Sequence, residues 1–183
     1  MKIKTQSAMK SAIANLDAFT RAYIECALWT SEEQLKEDAA EHEAEYEPAE
    51  KWDVNIHAIH PNAIAEIMAD CATFQNDSET QELLEKAYEG DYSAESAGHD
   101  FWLTRNGHGA GFWDRDALDM DKGEYNRLTS EMLKHETLSD GWKAALAERN
   151  ALKEQSIGHK LTQAAKVYGS SDLYFGDDGK LYV

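Results

Sequence analysis

The sequence predicts an α+β fold in which several helices pack on a small antiparallel sheet formed by two β-hairpins. Apolar residues recur at three-and-four spacing in several segments, as they do on the buried face of a helix. Two other segments, HDFWLTRNGHGAGFWDR and DLYFGDDGKLYV, place glycine-containing turn signals between runs rich in aromatic and β-favouring residues. We expect these runs to form one antiparallel sheet of about four strands.

The first helix is predicted over residues 7–29. Its apolar positions share one helical face: Leu16, Phe19, Tyr23 and Cys26. Thr30 or Ser31, followed by Glu33 or Gln34, has the pattern of an N-cap with its capping-box partner. A second helix is therefore expected to begin at this point.

The segment 32–50 is predicted to be an acidic helix or a mobile arm. It contains nine acidic residues and one lysine, and its only large apolar residues are Leu35 and Tyr46. Pro48 is expected to end any helix there.

A short strand or an extended connector is predicted for WDVNIHAI, and a helix with Pro61 in its first turn follows. That helix carries a strong apolar stripe: Ile64, Ile67, Met68, Cys71 and Phe74. The polar residues 76–78 break the pattern and cap a further helix that extends through Tyr88. The segment EGDYSAESAG is predicted to be a loop.

The first hairpin is predicted over residues 99–115. HDFWLTR and FWDR read as its strands, and Asn106-Gly107 is a strong turn signal. Glycines at 107, 109 and 111 permit positive φ angles or a bulge, and they leave backbone N–H groups uncovered by side chains.

Residues 116–157 are polar and helical in pattern, and Ser139 to Gly141 divide them into two helices, which we expect to pack as an antiparallel pair. A short helix closed by Gly169 follows. DLYFG and LYV, joined by the turn DDGK, then form the second hairpin.

Length and composition indicate a single domain over residues 1–183. A chain of this size buries roughly two-thirds of its unfolded surface. The first residues, MKIKTQSAMK, do not resemble a signal peptide, and no apolar run is long enough to span a bilayer, so we expect a cytoplasmic protein without membrane contact. Cys26 and Cys71 lie in helical patterns and are expected to be buried free thiols.

The formal charge is −17, from 35 acidic and 18 basic residues. A surface of this sign repels phosphate backbones, and the sequence contains no basic cluster, so direct nucleic-acid binding is not expected. The charge is compatible with simple solubility, with a basic protein partner, or with mimicry of DNA toward a DNA-binding protein.

No catalytic residue is assigned, but His99, His108 and Asp114 are candidates because the predicted hairpin would bring them together as an acid–base pair with a further polar group. His57 and His60 lack a nearby third ligand, so no metal or other cofactor is predicted.

The glycine series at 107, 109 and 111 is not a dinucleotide fingerprint, because a strand rather than a helix is expected after it. Its open donors could still hold an anion with help from Arg105 or Arg115.

Two tryptophans, Trp102 and Trp113, are either buried beneath helices or exposed as an anchoring surface for a protein. The candidate binding residues combine this hairpin with the acidic arm: Trp102, Arg105, His108, Trp113, Arg115, Glu41, Glu43 and Glu45.

Three segments carry a family resemblance: YIECALWTS at 23–31, GHDFWLTRNGHGAGFWDR at 98–115, and LTQAAKVYGSSDLYFGDDGKLYV at 161–183. Together they resemble a family of small proteins encoded by bacteriophages and mobile elements. Members of that family run almost directly from the FWDR element into the LTxAAKxYG helix, so residues 116–157 would be a helical insertion here, and the acidic arm is a second departure. The resemblance implies a phage setting and a fold; it implies no reaction.

The sequence therefore favours a phage accessory protein that binds and modulates a host or phage protein, in its sharpest form as a DNA mimic that inhibits a defence or DNA-binding protein. Two alternatives stay open. One is a small enzyme or a ligand- or metal-binding domain with its pocket at the glycine-rich loop 106–111, and the other is a structural phage protein. The pattern does not determine the oligomeric state.

Overall fold

The computed structural model describes residues 11, 13–41, 56, 58–118 and 122–183. The principal α-helices are α1 (Ala18–Thr30), α2 (Glu32–Glu41), α3 (Pro61–Asn76), α4 (Ser78–Tyr88), α5 (Ala94–Asn106), α6 (Lys122–Met132), α7 (Asp140–Glu154) and α8 (Ile157–Lys166). Two 3₁₀ turns lie at Phe112–Asp114 and Asp116–Leu118, and two strands, β1 (Tyr174–Phe175) and β2 (Leu181–Tyr182), follow α8. The described part is thus mostly helical with a small sheet. None of its helices combines the length and the apolar character needed to cross a bilayer.

Local signals set the ends of the first helices. The Asp17 carboxylate accepts a hydrogen bond from the Thr20 N–H at 2.8 Å and caps α1. The helix predicted over residues 7–29 is therefore interrupted at residues 15–17, and Leu16 lies outside α1, whereas the predicted apolar positions Phe19, Tyr23 and Cys26 are in α1 and buried. The helix is interrupted at Ser31, and α2 begins at Glu32, where the capping pattern predicted the start of a second helix. Pro61 is at the start of α3, as predicted.

The core forms where α5 crosses α1. A Cβ placed on Gly98 would lie 2.1 Å from the carbonyl oxygen of Phe19, so only glycine allows the two backbones to approach this closely. Aromatic rings fill the space beside the crossing, and Phe74 stacks on Phe101 with 4.1 Å between ring centroids. Cys26 and Cys71 are buried in the same core as free thiols, as predicted.

The first predicted hairpin is wrong, because residues 94–106 form the helix α5. Ser93, which we placed in a loop, caps it by accepting a hydrogen bond from the Ser96 N–H at 3.2 Å. Gly107 adopts φ 69° and closes the helix in the left-handed conformation. Asn-Gly is thus a helix stop here, and burial of the aromatic residues on α1 outweighs their strand preference.

The second hairpin is confirmed. Tyr174 pairs with Tyr182 and Phe175 with Leu181 in antiparallel register. In place of the first hairpin, Ile59 makes an isolated parallel bridge to Leu181, and the His60 N–H donates to the Leu181 carbonyl at 2.7 Å. The predicted four-stranded sheet therefore contains two strands in the described residues.

The helices α6 and α7 pack on each other as an antiparallel pair. The Arg149 guanidinium, late in α7, lies 5.5 Å from the ring centroid of Tyr125, early in α6. Leu128, Met132 and Ala145 are buried between helices of this pair but do not belong to the main core cluster.

Candidate functional site

Most of the polar side chains in the segment 98–115 make hydrogen bonds that stabilise the fold. Asp100 is fully buried, and Arg115 donates from Nε to both of its carboxylate oxygens at 2.8 Å. The Tyr92 hydroxyl donates to the same carboxylate at 2.7 Å. This hydrogen bonding raises the pKa of Arg115, and burial beside Asp100 raises the pKa of Tyr92 far above its ordinary value.

Arg105 is a second structural cation. It is buried, and its Nη1 donates to the Tyr23 hydroxyl at 2.9 Å and to an Asp70 carboxylate oxygen at 3.0 Å. Its other nitrogens donate to the carbonyls of Tyr168 and Gly169 at 3.1 and 2.8 Å. The guanidinium therefore joins α5 to α1, α3 and the end of α8, and it is not available as the binding residue we predicted.

Trp102 is also unavailable to a partner. Its ring is fully buried, and its indole N–H donates to the Thr30 hydroxyl at 2.8 Å. Of the two roles open to it from the sequence, burial beneath helices is the one found. Trp113, by contrast, is 51% exposed.

Four residues of this segment, Leu103, His108, Ala110 and Arg115, form one wall of a groove that is open to solvent. We call this the Trp29 groove; it has a volume of about 780 Å³, and the end of α1 and the start of α2 form its opposite wall. It is lined by Trp29, Thr30, Glu32, Glu33, Lys36, Leu103, His108, Ala110 and Arg115. Trp29 is 66% exposed, so a large aromatic surface faces solvent at this wall.

In the Trp29 groove, both basic side chains have carboxylate partners, but one of the carboxylates has no basic partner within the described ranges. Lys36 pairs with Glu32 one helical turn away, and Arg115 pairs with buried Asp100. Glu33 is exposed and has no ion-pair or hydrogen-bond partner among the residues that the structure describes. The charge left over in the groove is therefore negative.

The structure does not assemble the three catalytic candidates into one site. His108 lines the Trp29 groove, where its ring stacks near Trp102 with 6.3 Å between centroids. His99 lines a separate depression of about 370 Å³ beside Tyr92 and Asp116. Asp114 is exposed and lines neither depression. Arg115 lines both depressions, but its guanidinium is paired with Asp100.

In the described ranges, no group of three or more His, Cys, Asp or Glu side chains is arranged to hold a metal ion. His60 caps α3, because its Nδ1 accepts a hydrogen bond from the Asn62 N–H at 3.2 Å, and its ring stacks on Tyr182. His57, the other histidine considered with it, lies outside the described residues.

The acidic candidates are only partly placed. Glu41 is exposed at the end of α2, whereas Glu43 and Glu45 lie outside the described residues. A second acidic surface was not predicted. We call it the acidic ridge; it consists of the exposed residues Asp77, Glu79, Glu82, Glu85, Glu89, Asp91 and Glu95, and Lys86 is the only base between 77 and 95.

Both missed features leave a trace in the sequence. Trp29 lies off the face of α1 that carries Phe19, Tyr23 and Cys26, so helical spacing alone indicates an exposed tryptophan. In the ridge, Glu82, Glu85 and Glu89 follow three-and-four spacing on the face opposite buried Leu83 and Leu84.

Comparison of the chain with protein-family models, with curated proteins and with solved structures gives no match. The family resemblance of the three motifs therefore stays a prediction.

Proposed function

We propose that the protein acts by binding a basic partner protein through its acidic surfaces, with exposed aromatic side chains as anchors. The segregation of charge along the chain is the observation that carries this proposal. Segments 32–50 and 77–95 contain 16 of the 35 acidic residues and two of the 18 basic ones, so they account for −14 of the net charge of −17. Charge needed only for solubility has no reason to concentrate in this way.

The helical pair provides the internal contrast. Residues 122–154 carry six acidic and six basic residues and have no net charge. Several of these charges neutralise one another within the pair, as in Glu124 with Arg127 and Glu131 with Lys134. The acidic ridge keeps its carboxylates exposed and nearly free of bases, which suits recognition of a positively charged surface.

A partner that normally binds DNA fits these features best. A row of carboxylates on an ordered helix presents regularly spaced negative charge, as a phosphate backbone does, and attracts the lysines and arginines of a DNA-binding surface. Trp29 and Trp113 add contact area of the kind that dominates binding energy at protein interfaces. In the setting implied by the motif resemblance, the protein would act in the cytoplasm of an infected cell on a host defence or DNA-binding protein.

The test compares two variants with equal charge changes. The ridge variant carries Gln at Glu79, Glu82, Glu85, Glu89 and Glu95; Asp77 is kept because its carboxylate caps α4 at the Thr80 N–H. The control variant carries Gln at Glu124, Glu131, Glu136, Glu148 and Glu154 in the helical pair. Each is immobilised and offered the heparin-binding proteins of a bacterial lysate.

The wild-type protein and the control variant should retain a DNA-binding protein at low salt, release it as salt rises, and displace labelled duplex DNA from it. The ridge variant should lose both retention and displacement. Equal loss in both variants would show that the net charge, and not the ridge, is responsible, and equal retention would show that the ridge carboxylates are not needed. Either result would end the proposal.

A further inference from the structure

We infer that the Trp29 groove is a recognition site for an arginine side chain of the partner. The inference deepens the proposed function and rests on it for the identity of the partner, whereas the site itself can be tested with a free peptide.

The first step is the balance of charge in the groove. Both fixed cations that line it, Lys36 and Arg115, already have carboxylate partners within the fold. Glu33 is exposed beside them and has no such partner in the described part of the chain. An incoming anion would have to compete with Glu32 and Asp100 for their bases, but an incoming cation finds an uncommitted carboxylate.

The second step is the aromatic wall. Trp29 is 66% exposed, although it follows directly on Leu28, which is fully buried. An indole face is the best aromatic acceptor for a cation, and a carboxylate that lines the same groove can add an ion pair to the same ligand. Trp29 and Glu33 are four residues apart across the break between α1 and α2, and both line the groove.

The third step selects arginine over lysine. A guanidinium is planar, so it stacks on an indole and can still donate two parallel hydrogen bonds to a carboxylate. Leu103 and Ala110 in the opposite wall provide apolar contact for the methylene stem. The groove is larger than one side chain, which leaves room for the neighbouring backbone of an extended basic segment.

The experiment titrates the ¹⁵N-labelled full chain with acetyl-Gly-Gly-Arg-Gly-Gly-amide and follows the indole N–H signals. The Trp29 signal is identified by its absence in Trp29→Phe. Matched peptides with citrulline, which keeps the planar shape but not the charge, and with lysine, which keeps the charge but not the plane, are the ligand controls. Inorganic phosphate is the anion control.

The arginine peptide should shift the Trp29 signal and leave that of Trp113 in place, and the lysine and citrulline peptides should bind more weakly. Trp29→Ala and Glu33→Gln should each weaken binding by about three- to fivefold. Glu37→Gln, on α2 but outside the groove, should leave it unchanged.

Equal shifts with arginine and citrulline, or a response to phosphate in place of the peptide, would overturn the inference. Failure of the peptide to bind, while the ridge-dependent displacement of DNA persists, would remove the groove site and keep the proposed function. Arginine binding that depends on Trp29 and Glu33, without any DNA-binding partner, would do the reverse.

Discussion

Arg115 holds the buried carboxylate of Asp100 in a two-oxygen contact, with Nε 2.8 Å from each oxygen, and thereby ties the 3₁₀ segment after α5 back onto that helix. The contact is asymmetric in solvent exposure, because the Asp100 side chain is inaccessible whereas that of Arg115 is 39% exposed. The Asp100 carboxylate therefore depends on hydrogen bonds from Arg115 and Tyr92, whereas Arg115 retains access to water.

The substitution Asp100→Asn tests this dependence. It keeps the shape of the side chain and removes its charge, so we expect a loss of about 2 kcal/mol in the free energy of unfolding. The loss stays moderate because Arg115 can hydrate. Urea unfolding measures it, and Asp114→Asn, an exposed position nearby, is the control and should change stability by less than about 0.5 kcal/mol. Similar values for the two variants would contradict the structural role of Asp100.

Two glycines of the same segment should respond differently to alanine. Gly98→Ala would push a methyl group to 2.1 Å from the Phe19 carbonyl oxygen and should cost about 3 kcal/mol, because α1 and α5 must move apart. Gly107→Ala meets no atom within 4 Å and should cost only about 1 kcal/mol, from its φ of 69°. Thermal unfolding of both variants checks the order. A larger loss at Gly107 would mean that α5 and α1 do not touch at Gly98.

These residues also show what a single sequence can predict. Helix α3 was predicted because its apolar stripe and Pro61 are local signals that agree with each other. Helix α5 was missed because Asn106-Gly107 serves equally well as a hairpin turn and as a left-handed helix end. Only the burial of Phe101 and Trp102 against α1 decides between them.

The site was predictable to a smaller extent. One exposed member, His108, was singled out from the sequence, whereas Trp29 was not. The pairing of Arg105 with the Tyr168 and Gly169 carbonyls could not be predicted, because it depends on contacts between distant segments. Residue spacing contains no information on such contacts. The same holds for Asp100, which no pattern marked as buried.

Alkaline pH should destabilise the protein through its thiols. Burial, and to a smaller degree the charge of Asp100, raises the pKa of Cys26 to about 12, and burial raises the pKa of Cys71 as well. An unfolded thiol titrates near pH ~8.5, so above that value the unfolded chain releases protons that the native state keeps. The free energy of unfolding should therefore fall by up to about 1.4 kcal/mol per pH unit for each thiol, and for Cys26 over the window between about 8.5 and 12.

Urea titrations at pH 7, 9 and 10 measure this slope. In Cys26→Ala the stability at pH 7 should be lower because of lost packing, but its decline with pH should be less steep. Asp77→Asn, at an exposed helix cap, should lower stability without changing the slope in this range. An unchanged slope in Cys26→Ala would show that the thiol ionises equally in both states.

The helical pair should be removable without loss of the main core. The chain leaves the core at Leu118 and returns at Gly158, and these two residues are in contact, since a Cβ on Gly158 would lie 3.3 Å from the Leu118 Cβ. Leu128, Met132 and Ala145 are buried within the helical pair and do not belong to the core cluster, so the pair contributes little to core packing.

We expect a variant in which a linker of about four Gly and Ser residues replaces residues 119–156 to unfold cooperatively, with a Tm within about 5 °C of the full chain. The near-ultraviolet circular dichroism signal, which reports on the rings around Phe101 and Trp102, should be retained. Loss of this signal would show that α6 and α7 are an integral part of the core and that residues 116–157 are not an insertion. The same variant with Gly158→Ala is the control, because a methyl group there would lie 2.5 Å from the Phe112 carbonyl oxygen and should destabilise the closed junction whether or not the pair is present.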